Sequence, residues 1–200
     1  MMPEASVLMV SGDLDRVEAR LARGELACPA CGGVLAPWGH ARWRTIRDVD
    51  GDGRFRPRRS RCGSCEITQV LLPDSCLLRR RDSVEVIGSA LIEHVSGVGH
   101  RKIAERLGRP PSTVRGWLRR FHRRANELAA FFVRWFLVLV SAADPPTPSG
   151  SPVGDVIEAV GLATRAGRAR FGEREPWPRA ARLSGGGLLS NTNCLWLAPV

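Results

Sequence analysis

The sequence predicts an α+β protein: a small antiparallel sheet, then three short helices, then a C-terminal helical segment. Three observations predict it. Residues 28–78 contain two Cys-x-x-Cys pairs and, between them, an Asp-Gly turn flanked by strand-like stretches. From Asp82 onward the spacing of apolar residues changes from about two to about three and a half, as in amphipathic helices. Residues 144–152 are rich in proline and serine and separate a last segment.

Residues 1–27 are expected to form one short strand and one helix. Residues 7–10 are apolar enough for a strand, and Ser11 is placed to cap a helix over residues 13–23. Gly24 then ends that helix. Aspartates in its first turn and arginines in its last turn suit the helix dipole.

Two cysteine pairs, Cys28 with Cys31 and Cys62 with Cys65, are the strongest chemical signal in the chain. Two cysteines three positions apart on a tight turn can present both sulfurs to one metal ion, and a second pair completes a tetrahedron. The pattern predicts a zinc ribbon over residues 28–78. Its Zn²⁺ would be structural, because four thiolates leave no coordination position open for a substrate.

Other roles for the cysteines stay open. Two disulfides or a redox-active pair would also use this spacing, although no export signal is visible at the N-terminus and a redox centre needs only one pair. Cys76 is expected to be a small buried thiol, since its setting is apolar. Cys194 and His40 are weaker candidates for zinc ligands.

The residues between the cysteine pairs are expected to form a β-hairpin. Residues 43–49 and 54–58 flank the Asp-Gly turn, and residues 67–72 would add a third strand. Residues 54–61 contain five arginines and no acidic residue. These arginines would lower the thiol pKa of Cys62 and Cys65, contact phosphate, or remain solvated.

Residues 79–126 are expected to contain three short helices. Their bounds follow from capping and breaking residues: Asp82 or Ser83 to about Gly97, His100 to Gly108, and Pro111 onward. Proline suits the first position of a helix, where its missing N–H costs no hydrogen bond. The short turn between the last two helices predicts a helix-turn-helix module.

Residues 102–108 and 112–121 resemble helix-turn-helix domains of bacterial regulators and insertion-sequence transposases. Their apolar residues fall where those domains have a core, and Gly108 falls at the turn. The resemblance implies that the third helix lies in the major groove of DNA. It implies groove contacts for Ser112, Thr113, Arg115, Gly116 and Arg119, and phosphate contacts for Arg101, Lys102, Arg120, Arg123 and Arg124.

The order of the two modules carries a second resemblance. A zinc ribbon directly before a helix-turn-helix is similar to the N-terminal DNA-recognition part of several insertion-sequence transposases, and to an uncharacterised actinobacterial family. Such transposases continue into an RNase-H-like domain whose three carboxylates bind two metal ions. Residues 127–200 are too few for that domain, so we expect no enzyme activity.

The charge of the chain independently favours a polyanionic partner. The net charge is +10 and the pI about 10.9, which favours nucleic acid over an anionic membrane surface. Residues 79–126 hold twelve Arg or Lys and four Asp or Glu, so most of the excess lies in the predicted DNA-binding module. The longest apolar run, residues 129–143, is too short to span a bilayer. We expect a cytoplasmic protein.

The C-terminal third is expected to contain an apolar helix over residues 127–143, the linker, and a second amphipathic helix from residue 153 to about 172. A loosely ordered tail that packs through Trp177 and Trp196 would follow. The apolar face of this first helix must be buried against another element. Packing on the second helix is favoured, and a homodimer through residues 129–142 is the alternative, which would suit a two-fold DNA site.

Together these features predict a zinc-stabilised, sequence-specific double-stranded DNA-binding protein. It would be a transcriptional regulator or a transposase-related recognition module that reads the major groove with the helix from residue 111 to about 124. Two alternatives remain. A degenerate or accessory transposase would need clustered carboxylates and Mg²⁺, and a protein-interaction scaffold would use the ribbon to dock a partner protein.

Overall fold

A computed structural model of the chain describes residues 6–141 and 143–190. Within these ranges the chain forms six strands and eight helices. The strands are β1 (Ser6–Val10), β2 (Leu35–His40), β3 (Arg44–Arg47), β4 (Asp52–Phe55), β5 (Arg58–Cys62) and β6 (Thr68–Pro73). The helices are α1 (Leu14–Ala22), α2 (Val84–Val95), α3 (His100–Arg106), α4 (Pro111–Arg123), α5 (Ala125–Leu139), α6 (Pro152–Ala166), α7 (Arg168–Phe171) and α8 (Pro176–Leu183).

The strands form two sheets instead of the single antiparallel sheet expected. Four strands lie in the order β1-β6-β5-β2, and β1 runs parallel to β6 while the other pairs are antiparallel. The predicted hairpin is present as β3 and β4, but these two strands pair with no other strand of the described chain. The N-terminal strand is thus part of the ribbon sheet. Local turn signals predicted the hairpin but not this long-range parallel pair.

Helix α1 packs on the four-stranded sheet and closes a small core there. Val17 and Leu21 are buried together with Leu35 and Leu71 of the sheet. The N-cap is Asp13, whose Oδ1 accepts a hydrogen bond of 2.9 Å from the backbone N–H of Arg16. The cap therefore lies two residues after the expected Ser11. The end at Gly24, where φ is +70°, agrees with the prediction.

The three predicted helices of the central segment are present as α2, α3 and α4. Ser83 caps α2, since its Oγ accepts a hydrogen bond of 3.1 Å from the N–H of Val86. Gly108 turns the chain between α3 and α4 with φ of +60°, and Pro111 opens α4. Apolar side chains from all three helices meet in a buried core: Ile87, Leu91, Ile103, Val114, Trp117 and Phe121.

The apolar helix of the C-terminal third is covered by the chain itself. Helix α5 begins after a break at Arg124, where φ is −110° and ψ is 12°, and it packs along α6. Phe131, Phe132 and Trp135 of α5 are buried. Apolar residues of α5 that could have formed a homodimer interface thus pack against α6 of the same chain. No helix in the described ranges is long and apolar enough to cross a membrane.

The expected tail is more ordered than predicted as far as residue 190, and it packs through Trp177 as expected. Helix α8 follows Glu175, and Trp177, Leu188 and Leu189 are buried in the main core. The helix predicted to end near residue 172 is divided in two at Gly167: α6 ends at Ala166, and α7 continues to Phe171. Cys194 and Trp196 lie outside the described residues.

Two mid-helix glycines differ sharply in their surroundings. A Cβ added to Gly88 of α2 would lie 2.2 Å from a ring atom of Trp177 in α8, whereas at Gly116 of α4 it would lie 2.9 Å from the mobile end of Arg120. The Trp177 ring is buried among core residues. Gly88 therefore permits the close contact between α2 and α8.

A buried ion network joins the β3–β4 hairpin to the helices. Asp82 is only 3% exposed. Its Oδ2 accepts a hydrogen bond of 2.7 Å from Arg47 in β3, and its Oδ1 accepts one of 2.6 Å from Arg109 in the α3–α4 turn. Backbone bonds between Arg47 and residues Arg81 and Ser83 support the same junction, at 2.7 and 2.9 Å.

We expect Gly88→Ala to destabilise the protein by about 1–3 kcal/mol, because overpacking a full core forces side chains out of their rotamers. Gly116→Ala is the matched control and should be neutral or stabilising by up to about 1 kcal/mol, through helix propensity. Urea unfolding measures both. Equal free energies of unfolding for the two variants would contradict the contact with Trp177.

We expect Asp82→Ala to lower the free energy of unfolding by about 3 kcal/mol, because it leaves two guanidinium groups without their buried counter-charge. Asp50→Ala, in the exposed hairpin turn, should change it by less than about 0.5 kcal/mol. Chemical denaturation compares the two. A small effect at Asp82 would show that the junction contributes little.

Candidate metal centre and nucleic-acid interface

The two cysteine pairs lie on tight turns at neighbouring ends of β2 and β5. In the first turn, the N–H of Cys28 donates to the Gly33 carbonyl at 2.7 Å, and the N–H of Gly32 donates to the Cys28 carbonyl at 2.8 Å. A Cβ added to Gly33 would lie 2.5 Å from Ser64 Oγ and 3.0 Å from Cys62 Sγ. The absence of a side chain at Gly33 therefore lets the two turns approach each other.

The four predicted sulfurs come together. All four Sγ atoms of Cys28, Cys31, Cys62 and Cys65 lie within 4.8 Å of one another. Cys28 and Cys65 are 3.7 Å apart, and Cys31 and Cys62 are 3.4 Å apart. A tetrahedral site with Zn–S bonds of about 2.3 Å requires S···S separations of about 3.8 Å. Both the spacing and the four-thiol donor set fit a zinc ion.

The remaining candidates lie outside this cluster. All five cysteines in the part of the chain that the structure describes are free thiols, so the disulfide alternative is not adopted. Cys76 is buried, as predicted, and burial raises its thiol pKa to about 11. His40 lies exposed at the end of β2.

The thiol pKa values in the cluster diverge. The pKa of Cys62 is lowered to about 6, chiefly because the backbone N–H of Cys65 donates a hydrogen bond to its sulfur. The pKa of Cys65 is raised to about 12: the N–H of Ile67 lowers it, but hydrogen bonding with Cys31 and burial outweigh that effect. The neighbouring sulfurs thus favour ionisation of Cys62 and disfavour ionisation of Cys65. A bound divalent cation removes this conflict by stabilising all four thiolates.

The arginines of β5 do not act on the thiols as expected. Arg58 forms an ion pair of 2.9 Å with Glu18 of α1, and Arg61 forms one of 3.0 Å with Glu66. The lowered pKa of Cys62 comes from backbone N–H donors, and the pKa of Cys65 moves in the direction opposite to the prediction. These two side chains mainly attach the sheet to its neighbours.

Helix α4 has one buried face and one exposed face. Val114, Trp117, Leu118 and Phe121 point into the core, and the polar residues occupy the other side. Most of the predicted contact residues are exposed: Ser112, Arg115, Arg119 and Arg123 on α4, with Arg101 and Lys102 at the start of α3. Thr113, Gly116 and Arg120 are half-buried.

Gly116 makes room for Arg120 in the free protein. The Arg120 guanidinium folds back one turn along α4 and donates a hydrogen bond of 3.0 Å to the Gly116 carbonyl. Close approach of a DNA backbone would be one reason for a glycine in the middle of a helix. The structure supplies a contact within the chain that needs the same space.

Arg124 is a correction to the predicted contact set. It is only 8% exposed and forms a two-pronged ion pair with Glu127, at 3.0 and 2.8 Å. Its other nitrogen donates to the carbonyls of Gly187 and Ser190, at 2.9 and 3.0 Å. Arg124 therefore anchors the C-terminal segment at the α4–α5 break, because the chain ends a helix there and turns its side chain inward.

A cationic groove beside the start of α4 was missed by the sequence analysis. It has a volume of about 350 Å³. We call it the arginine groove, and it is lined by five arginines, one aspartate and four other residues: Arg47, Arg79, Arg80, Arg81, Arg120, Asp82, Ser112, Thr113, Gly116 and Trp117. The signal was present as three consecutive arginines. The groove forms because the loop before α2, which carries these arginines, lies against α4. This contact depends on the tertiary fold and not on the local sequence.

We expect simultaneous replacement of Cys28 and Cys62 by serine to abolish zinc binding, because two of the four thiolates are lost. The ribbon should also lose stability, since metal-binding free energy contributes to folding. Metal content of the purified protein, measured by a chromogenic zinc assay, is the test. Cys76→Ala should keep its zinc, and an unchanged zinc content in the double variant would rule out this site.

Comparison with known proteins bears on the helical part of the chain. A family model described as a homeodomain-like domain matches residues 89–128, which include all of α3 and α4. No curated protein and no solved structure matches the chain. The match supports a helix-turn-helix of the DNA-binding type and indicates no catalytic family. It is consistent with a module that lays a helix in the major groove.

Proposed function

We propose that the protein binds double-stranded DNA sequence-specifically, with α4 in the major groove. The observation that carries this proposal is the position of the exposed polar face of α4 inside the segment that matches a homeodomain-like domain. In such domains the exposed side chains near the start of the recognition helix contact base edges. Here these are Ser112, Arg115 and Arg119, with the half-buried Thr113 beside them.

Phosphate contacts on both sides of α4 would fix its register on the duplex. Arg123 extends the exposed face toward the end of the helix, and Arg101 and Lys102 lie at the start of α3. The arginine groove adds Arg79 and Arg81, both exposed. If six to eight phosphates are neutralised, the logarithm of the binding constant should fall with a slope of about −5 to −7 against log salt.

We assign the four-cysteine cluster to a structural Zn²⁺. Such an ion would stabilise the ends of β2 and β5, the two strands between which the chain inserts the hairpin that reaches Asp82. Free thiols and a thiolate zinc site suit the reducing cytoplasm, where we place the protein. A role in transcription regulation or as a transposase-related recognition module is consistent with the helix-turn-helix match, and we propose no enzymatic step.

Selection of genomic fragments by the purified protein tests sequence specificity. An enriched common motif would support the proposal, whereas recovery of random fragments in proportion to the input would contradict it. Cleavage of the selected DNA in the presence of Mg²⁺ would instead favour the transposase alternative.

Arg119→Ala and Arg123→Ala should affect binding differently. We expect Arg119→Ala to cost about 1–3 kcal/mol on the selected motif and to relax preference at one base pair. Arg123→Ala should weaken selected and random duplexes alike and reduce the salt slope by about one. Fluorescence anisotropy on both DNAs measures this. Arg170→Ala on α7 removes the same charge and should leave both affinities near wild type.

Identical effects of Arg119→Ala and Arg123→Ala on selected and random duplexes would contradict the assignment of base contacts to α4. The DNA-binding proposal itself would fail if neither change weakened binding.

A further inference from the structure

Two tryptophans of the ribbon lie on the surface. Trp38 in β2 is 50% exposed and Trp43, which directly precedes β3, is 59% exposed. The other three tryptophans in the described ranges, Trp117, Trp135 and Trp177, are all buried. Exposed indole rings have an unfavourable hydration cost, and neither ring is needed by the core described above.

Each exposed ring carries an arginine on its face. The Arg61 guanidinium carbon lies 4.9 Å from the Trp38 ring centroid, and that of Arg54 lies 5.4 Å from the Trp43 ring centroid. These are cation–π distances. About half of the surface of each tryptophan residue remains exposed beside the arginine, which leaves it accessible to another planar group. We call Trp38, Trp43, Arg54 and Arg61 the Trp–Arg face.

The chain between the two rings is held in place. The N–H of Ala41 donates to the Pro57 carbonyl at 2.8 Å, and Arg56 donates to the Ala41 carbonyl at 3.1 Å. Arg58 donates to the Gly39 carbonyl at 3.1 Å. A segment pinned in this way presents its side chains with little loss of entropy on binding.

The surroundings of the Trp–Arg face are strongly cationic. Arg42, Arg44, Arg54 and Arg56 are exposed, and none of them forms an ion pair with an acidic residue of the described chain. Unpaired surface arginines attract phosphates and release counterions on binding. The face and its surroundings therefore place flat apolar rings beside arginines that lack an acidic partner, while Arg61 stays paired with Glu66. This combination complements a nucleic-acid strand.

We propose that the Trp–Arg face binds single-stranded DNA by stacking unpaired bases on Trp38 and Trp43. In a duplex the base faces are covered by their neighbours, so exposed rings gain stacking only from unpaired bases. The surface is distinct from the exposed face of α4. The two surfaces are parts of one folded chain in which ribbon and helices are in contact. Arg47 of the adjoining β3 lines the same groove as Ser112 and Thr113 of α4.

This location rests in part on the proposed duplex binding, because a duplex held by α4 would bring its own unpaired region close to the ribbon. The proposal thus adds a second nucleic-acid surface with a different ligand. It predicts that a duplex with an unpaired extension binds more tightly than the duplex alone.

The test is to titrate the 200-residue chain with a short oligo-dT strand. Binding is monitored by the quenching of tryptophan fluorescence and by fluorescence anisotropy. We expect Trp38→Leu and Trp43→Leu each to weaken oligo-dT binding about tenfold, and Trp43→Phe to retain most of the affinity, because an aromatic ring still stacks. Val49→Leu, at another exposed apolar position of the hairpin, should bind like wild type.

Wild-type affinity for oligo-dT in the double leucine variant would overturn the proposal. So would tighter binding to oligo-rU than to oligo-dT, which would assign the face to RNA, or retention on anionic vesicles without oligo-dT binding. Circular dichroism of each variant confirms folding. Duplex binding is measured in parallel, so loss of oligo-dT binding with intact duplex binding separates this face from α4.

Discussion

The arrangement of this protein depends on one buried carboxylate. Asp82 holds Arg47 of the β3–β4 hairpin with one oxygen and Arg109 of the helix-turn-helix with the other. A carboxylate with so little access to water is stable as an ion only when paired in this way. The ion network therefore fixes the direction from which the ribbon meets the helices, and with it the walls of the arginine groove.

Features governed by neighbouring residues were predictable from the sequence. The four-sulfur cluster followed from Cys-x-x-Cys spacing, the hairpin from its Asp-Gly turn, and the three helices from Ser83, Gly108 and Pro111. Features that depend on distant partners were not. The parallel pairing of β1 with β6 and the packing of Trp177 on Gly88 join residues far apart in sequence, and no local pattern encodes them.

The arginines illustrate the same limit within the candidate site. The sequence presents a nearly uniform run of basic residues, but the fold divides them by environment. Arg124 and Arg179 are buried and donate to backbone carbonyls, and Arg109 neutralises Asp82. Arg115, Arg119 and Arg123 remain exposed. Net charge thus indicates the class of partner, while burial determines which arginines are available to it.

Because Gly88 packs against Trp177, this helix-turn-helix depends on residues that lie far beyond it in the sequence. Residues near the C-terminus insert against the first of its three helices, and Arg124 holds the loop around Gly187 at the end of the third. A stretch cut at residue 126 would leave both contacts open and expose apolar surface. The smallest unit that keeps these contacts therefore runs well past α4, and recombination between genes would have to move the two parts together.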